Sequence, residues 1–471
     1  MRKFIKYVSL SLVFVLVLGM FSACGKSDDK EISEKVDKIK FVASWMPNNL
    51  TLHDFEIMKD CGFDVASTNV YQAGYLDSEL YDRITGYILQ AGLENWPHLE
   101  NAGSSHVWSS PREQHLYDDK IIEKMNRDGV NVIQIFDEPV YSQMELIGSW
   151  IEEFERYYPD TTFFCNLFPA YATISGLGAD LKTYVQAYCD KVLANLHGEK
   201  WLSVDYYPYL YDHNANVNAG IYNTWLYNLE VMRYAVEDLK NAHLFLDIMT
   251  CSMYSDEISW RVPTIKELRQ QIYVGLCYGF EGFGCYTYGK PIGNSYHPSN
   301  TLTMIDPDNG DETDDYKTQI WYDVQQVIRE IKGYDGGEDG KLEGINDVYL
   351  KYEYDGTKTF VGSESYRNGE HINENFQFLK HQLPYFTGVK SVYTSQDTVI
   401  SQFHNSDGKK AFIIVNFADT AYNLSDRIIM EFDGAKSVTL YNRGASTKVN
   451  LHNGILDYNL DCGDGCIIIP E

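Results

Sequence analysis

Positive charge is in short supply: 39 Lys and Arg stand against 67 Asp and Glu, for a formal net charge of −28. So acidic a surface repels a phosphate backbone, which argues against a nucleic-acid partner. The nine cysteines include no C-x-x-C pair, so no metal centre is expected. A Gly-rich phosphate loop is also missing after the first predicted strand, which removes the usual support for a doubly wound dinucleotide-binding sheet. No cofactor is expected either.

One apolar stretch stands out, and it lies at the N-terminus. Arg2, Lys3 and Lys6 precede a run over 7–20, and Phe21-Ser22-Ala23-Cys24 follows it. Together these resemble a bacterial lipoprotein signal over 1–24, with Cys24 as the lipidated residue and Phe21 standing where Leu is usual. A plain membrane anchor is the alternative. Polar residues 25–38 then read as a tether. Loss of the leader would remove three cations and no anions, leaving a still more acidic chain on the extracellular face of the membrane.

With 44% hydrophobic and 14% aromatic residues, the remainder can bury a large core and a second domain. Eight segments read as strands: 40–46, 63–71, 93–99, 132–138, 162–168, 201–209, 244–251 and 282–288. Helical patterns fall between most of them, at a Thr51-capped helix stopped by Cys61-Gly62 and at 79–90, 118–128, 180–196, 224–240 and 264–278. A further helix is expected over 315–332. Repeats of about thirty residues over roughly 250 are the arithmetic of a (β/α)8 barrel, an α/β TIM barrel here spanning 39–335. Glycine density at 333–340 marks a boundary. Beyond it, short strands at 348–354, 398–404, 411–417, 428–432, 437–441 and 465–469 predict an antiparallel β-sandwich over 341–471. Cys165, Cys251 and Cys285 fall in predicted strands as small hydrophobes, whereas Cys462 and Cys466 lie close enough to pair. Within a polar insert at 289–316, Asp306-Pro-Asp308-Asn-Gly310-Asp311 departs from the EF-hand order and reads as a turn.

The chemistry gathers at Asn131-Val-Ile-Gln-Ile-Phe-Asp137-Glu138-Pro139. A run suited to a strand covered on both faces ends in two carboxylates and a proline that cannot continue the ladder. Acids at a strand tip face a cleft rather than a core. A capping box over Ser142-Gln-Met-Glu145 is expected to open the next helix. Adjacent strand residues point opposite ways, so Asp137 and Glu138 both reach the cleft only if the strand bends. Otherwise Asp137 is a salt-bridged structural residue.

At Asp137-Glu138-Pro139 the chain resembles the clan of (β/α)8 glycoside hydrolases that includes cellulases, β-galactosidases and xylanases, whose fourth strand ends in Asn-Glu-Pro. Trp45-Met-Pro47, Cys61-Gly-Phe-Asp64, Gly279-Phe-Glu-Gly-Phe-Gly-Cys-Tyr286-Thr-Tyr288 and the trailing sandwich are similar too. The resemblance implies a carbohydrate substrate and makes Glu138 the general acid/base. It breaks where Asp137 replaces Asn and where Leu246-Asp247-Ile-Met-Thr carries no Glu at the end of the seventh strand.

Three residues are candidates for the missing partner. Asp205, in Trp201-Leu-Ser-Val-Asp-Tyr-Tyr-Pro208, is preferred as a carboxylate that follows a buried run and precedes a proline. Asp137 could instead position a substrate N-acetyl group, as in β-N-acetylhexosaminidases. Asp247 lies nearer mid-strand, where a structural role is expected. Trp45, Tyr71, Trp96, Tyr207, Tyr286 and Tyr288, all near strand ends, would wall the sugar subsites, and His98 and Asn166 would bond hydroxyls. For each, barrel packing is the competing role. A catalytically silent glycan-binding protein remains the competing class.

Overall fold

The computed structural model describes residues 36–46, 50–69, 78–98, 110–113, 115–210, 215–254, 259–289, 303–306, 316–336, 340–362, 366–367, 370–371, 376 and 378–471. Cys24, Tyr71, most of the tether and residues 307–315 of the insert lie outside these residues, as does the side chain of Trp45.

Eight parallel strands close into a barrel: β1 (Lys40–Met46), β2 (Val65–Asn69), β3 (Glu94–His98), β4 (Val132–Asp137), β5 (Thr162–Leu167), β6 (Lys200–Tyr206), β7 (Ala242–Met249) and β8 (Gly282–Tyr286). Their order around the barrel is β1-β8-β7-β6-β5-β4-β3-β2. Between and after them run α1 (Leu52–Cys61), α2 (Glu79–Gln90), α3 (Asp119–Arg127), α4 (Met144–Tyr157), α5 (Leu181–Lys191), α6 (Ala215–Ala235), α7 (Ile265–Cys277) and α8 (Gln319–Lys332). Local chemistry sets several of these ends. The Thr51 N–H donates to Asp54 Oδ2 at 2.6 Å to open α1, and Gly62, at φ 106°, takes the left-handed conformation that closes it. The expected Ser142 cap is not used. A single 3-10 turn at Tyr141–Gln143 intervenes, and the Gln143 side chain accepts from the Val140 N–H at 2.7 Å.

Period-two alternation sorts each strand into an outer and an inner face. Val42, Val65, Trp96, Val132, Phe164, Trp201 and Phe245 form one cluster. Trp96 of β3 lies 6.0 Å from Trp201 of β6 and 6.2 Å from Phe245 of β7, ring to ring. Strands so far apart in the ladder meet only through the lumen, so this cluster is its apolar floor. Two residues further along the same strands come Ser44, Ser67, His98, Gln134, Asn166, Ser203 and Asp247, all buried. A wholly polar layer thus lies on the floor, towards the C-terminal mouth.

The C-terminal part is built mainly on two antiparallel sheets. Its strands are β9 (Glu353–Phe360), β10 (Val389–Thr394), β11 (Thr398–His404), β12 (Lys410–Asn416), β13 (Asp426–Phe432), β14 (Ser437–Asn442), β15 (Ala445–Asn450), β16 (Ile455–Leu460) and β17 (Gly465–Pro470). A six-stranded sheet in the order β9-β11-β12-β17-β14-β15 packs on a three-stranded sheet, β10-β13-β16. Ile400, Phe412, Ile428, Met430, Leu456 and Ile468 are among the residues that fill the space between them. The predicted strand at 348–354 is a correction: Asn346–Tyr349 is a helical turn, and β9 begins only at Glu353. The Tyr349 hydroxyl donates to Phe280 O at 2.9 Å, and Asn346 Oδ1 accepts from the Ile39 N–H, which ties that turn to the barrel. Cys462 and Cys466 are also corrected, since both are buried free thiols, Cys466 pointing into the sandwich core.

Helix α7 joins the two parts and is buried along nearly its whole length, polar residues included. Gln270 Nε2 donates to Asn416 O and Ala418 O, both at 3.1 Å, while Gln270 Oε1 accepts from the Tyr209 hydroxyl at 2.9 Å. On the barrel side, Gln271 accepts from the Met249 N–H at 2.8 Å. The sandwich therefore braces the strand end that follows Asp247.

Candidate active site

Strand β4 should place Asp137 on its outer face, because Val132 and Gln134 point inward and alternation would next bring in Phe136. A β-bulge reverses this. The register to β5 slips between Gln134 and Phe136, so Ile135 and Phe136 both join the outer core, with Phe136 5.3 Å from Trp150 of α4. One extra residue shifts the phase, and Asp137 turns into the lumen.

The next residue is turned by its backbone. Glu138 has φ 48°, the left-handed region that a non-glycine side chain enters at a cost. Its N–H donates to Asn166 O at 2.9 Å, and the following Pro139 O accepts from the Tyr184 hydroxyl at 2.6 Å. The bend that the two carboxylates require is therefore built from a bulge, a left-handed residue and two hydrogen bonds from flanking elements. Glu138 itself is half-buried at the C-terminal end of β4.

Asp205 on β6 and Asp247 on β7 are register partners on adjacent strands, and both are buried in the lumen. Asn166 bridges the acids. Its Nδ2 donates to Asp205 Oδ1 at 2.9 Å and to Asp137 Oδ1 at 3.3 Å. Asp247 Oδ1 accepts from the Ser44 hydroxyl at 2.9 Å. Gly284 of β8 makes room for this carboxylate, because a Cβ there would lie 1.8 Å from Asp247 Oδ1. Asp137, Asp205 and Asp247 thus form a three-acid cluster.

Burial raises all three acids. It pushes Asp137 up to about 6 against the pull of the Asn166 amide, and Asp247 up to about 7, helped by the charge of Asp137. Asp205 goes well above the ordinary carboxylate range, through burial first and then the charges of Asp137 and Asp247. An acid with a raised folded-state pKa holds its proton more tightly in the native chain. That stabilisation is complete below about pH 4 and is lost as pH rises through the folded value. Asp247→Asn, which keeps an acceptor for Ser44, is therefore expected to be more stable than wild type at pH 8 by on the order of 3 kcal/mol. The gap should close towards pH 4. Identical urea midpoints at pH 8 would show that Asp247 is not held in this way.

The predicted sugar contacts divide. Tyr207 and Tyr286 come together at the mouth, stacked at 5.2 Å and 26°. His98 lies in the lumen but is 1% exposed, and burial pushes it down to about 3, so it is a neutral ring sunk below the mouth. Trp96 is a correction: its inward phase puts it in the apolar floor instead of a subsite wall. Tyr288 is another, since it packs in the outer core edge-on to Phe63 at 5.8 Å. Asn166 is corrected as well, because both amide hydrogens go to aspartates, leaving none for a sugar hydroxyl.

Other residues at the mouth had not been singled out. Tyr171, in the connection after β5, is half-buried, and its hydroxyl is raised by burial and by the charges of Asp205 and Glu138. Both acids therefore lie within electrostatic reach of one ring. Trp260 meets Tyr207 edge-on at 6.0 Å, and its Nε1 donates to Tyr207 O at 3.2 Å. A signal for Ser203 was present, since it is a polar residue in phase with the lumen aromatic Trp201. Among the described residues no group of three or more His, Cys, Asp or Glu side chains has the geometry to hold a metal ion.

No family model matches the sequence, and no curated protein does. Solved structures do match in fold. The chain is similar to a catalytic mutant of a GH42 β-galactosidase from G. stearothermophilus, with a TM-score of 0.55 at 8% identity over 93% of this chain and 99% of the other. A GH27 β-L-arabinopyranosidase from Geobacillus stearothermophilus matches with a TM-score of 0.45 at 10% identity, over 92% of this chain and 95% of that one. An α-L-arabinofuranosidase from Thermotoga maritima reaches 0.42 at 9% identity, over 93% of each chain.

Proposed function

We propose that this chain is a glycoside hydrolase cleaving a poly- or oligosaccharide, with Glu138 as general acid/base. What carries the proposal is the pinned, left-handed Glu138 at the C-terminal end of β4, turned out of the strand's alternation beside a cluster of buried acids. A glycosidic oxygen leaves poorly until it is protonated, and the positive charge that develops on the sugar ring needs a second carboxylate nearby. Asp205 is the preferred partner, because its charge and that of Glu138 act on the same tyrosine. Tyr286, half-buried and stacked on the buried Tyr207, is the aromatic placed to meet a sugar. The fold is also one on which a known β-galactosidase is built.

One observation favours a second reading. Burial and the charges of Asp137 and Asp247 push Asp205 well above the ordinary carboxylate range, which weakens it as a nucleophile, whereas Asp137 is pushed up only to about 6. An anionic Asp137 could orient a substrate N-acetyl group for attack from within the sugar. A glycan panel that includes N-acetylhexosaminides, run on wild type and Glu138→Gln, tests both. Cleavage confined to N-acetylated substrates selects the second, and binding without cleavage by wild type would leave only a glycan-binding role.

The leader supports placing the enzyme on the outer face of a bacterial membrane, with a lipid on Cys24. Cells fed a labelled fatty acid are expected to label wild type and not Cys24→Ala. Equal labelling of the two would remove the anchor.

A further inference from the structure

We propose that Ser203 is a positioning residue, which fixes the amide of Asn166 so that Asn166 clamps Asp137 and Asp205 at a set separation. The proposal rests on the glycosidase reading for its catalytic consequence, but not for its geometry.

Ser203 is fully buried and pairs in register with Asn166 across β5 and β6. It lies two residues before Asp205 on the same strand, one layer deeper in the lumen, so no substrate reaches it. Its hydroxyl donates to Asn166 Oδ1 at 2.8 Å. That bond decides which way the amide faces. With Oδ1 held by Ser203, Nδ2 points at the two carboxylates and gives one hydrogen to each. Turned over, the amide would set its own oxygen against two acceptors, and only its nitrogen could meet Ser203. A serine can donate to Oδ1, and an alanine cannot.

The clamp matters because of what surrounds it. Asp137 on β4, Asp205 on β6, Asp247 on β7 and Glu138 after β4 all bear on this spot, together with Tyr171, Tyr184 and Tyr207. The charges of Asp137 and Asp247 raise Asp205, and that of Asp137 raises Asp247. Asn166 is thus the neutral donor shared by two acids that otherwise repel each other. Its hydrogen bonds pull both towards the ionised form. Without Ser203, that pull and the spacing it sets are released.

The test uses the full chain with carbon-labelled aspartate and follows the carboxyl carbons by NMR as pH is varied, alongside hydrolysis. Ser203→Ala is expected to raise the titrations of Asp137 and Asp205 by about one pH unit. Turnover should fall about tenfold at unchanged KM, with the acid limb of the pH profile moving upward by the same amount. Ser203→Cys, which restores a weak donor, should recover part of the shift. In an Asn166→Ala background, Ser203→Ala should add nothing, because its route of action is already gone. Unchanged aspartate titrations in a folded Ser203→Ala chain overturn the proposal, as does full additivity with Asn166→Ala. If wild type cleaves no glycan, the glycosidase reading falls while the titrations still decide the clamp.

Discussion

Glu138→Gln is expected to lower turnover of an unactivated glycoside by about 10²–10⁴-fold, with the fold intact. Glutamine matches the side chain in size and keeps the φ 48° backbone occupied by a residue of similar shape, so the Asn166 and Tyr184 bonds around it should survive. What disappears is the proton. The loss should therefore depend on the leaving group. A dinitrophenyl glycoside departs without protonation, and on it the variant should approach wild type in the bond-breaking step. An alkyl glycoside or a natural oligosaccharide needs the acid and should show the full deficit. A purely structural Glu138 would give equal losses on both substrates. The alkaline limb of the pH profile should also vanish with the acid that produces it. Near-normal turnover of a natural glycan by Glu138→Gln would remove this residue from the mechanism, and the proposed function with it.

The barrel was legible because a parallel strand covered on both faces is apolar on its outer face and, towards its N-terminal end, on its inner face too. Lys40–Met46 fell where the sequence put it, and Val132–Asp137 and Thr162–Leu167 each came out one residue shorter than expected. Strands such as Ala445–Asn450 and Ile455–Leu460 escaped notice because they lie at sheet margins with solvent on one side, and their polar alternation resembles a loop. The misread segment around Val348 has strand-like residues whose burial comes from docking against the barrel, a tertiary cause that no local pattern records.

The site was legible in its residue types and much less so in its directions. Asp137, Glu138 and Asp205 could be proposed from their places at strand ends. Asp137 faces the lumen only because of the bulge at Ile135, which exists only relative to the partner strand, and Glu138 is turned by its left-handed backbone. Phase also explains the errors. Trp96 and Tyr288 are aromatic and near strand ends, yet one points down into the floor and the other outward to Phe63. Asn166 had the right address and the wrong task, because its donors were already committed to carboxylates. The mid-strand position of Asp247 suggests packing from the sequence, although in a lumen with a polar middle layer mid-strand is where a third acid sits.

Glu330→Gln is expected to destabilise the chain by about 3–5 kcal/mol, the usual effect of leaving one member of a buried ion pair behind. Arg269 of α7 makes a two-pronged contact with Glu330 of α8, Nε to Oε2 at 2.8 Å and Nη2 to Oε1 at 2.7 Å, and all three partners in the network are nearly inaccessible. Its third nitrogen reaches Asp464 of the sandwich at 3.5 Å, and Asp464 is in turn held by Arg443. Gln at 330 would keep one acceptor but leave the buried guanidinium with only Asp464, at 3.5 Å, as a counter-charge. By contrast, Arg427 and Asp457 form an equally well-aligned pair on the exposed sheet, where removing either should leave the urea midpoint unmoved. Replacing both Arg269 and Glu330 with apolar residues of similar volume should recover much of the loss, because the cost lies in the unpaired charge. A Glu330→Gln loss below about 1 kcal/mol would mean that water enters this interface. The consequence reaches the site through α7. The helix that carries Arg269 also carries Gln271, whose amide holds the backbone of Met249 just past Asp247. Loosening the seam between barrel and sandwich should therefore cost activity at urea concentrations below those that unfold the barrel, whereas Glu138→Gln should cost activity with no change in unfolding.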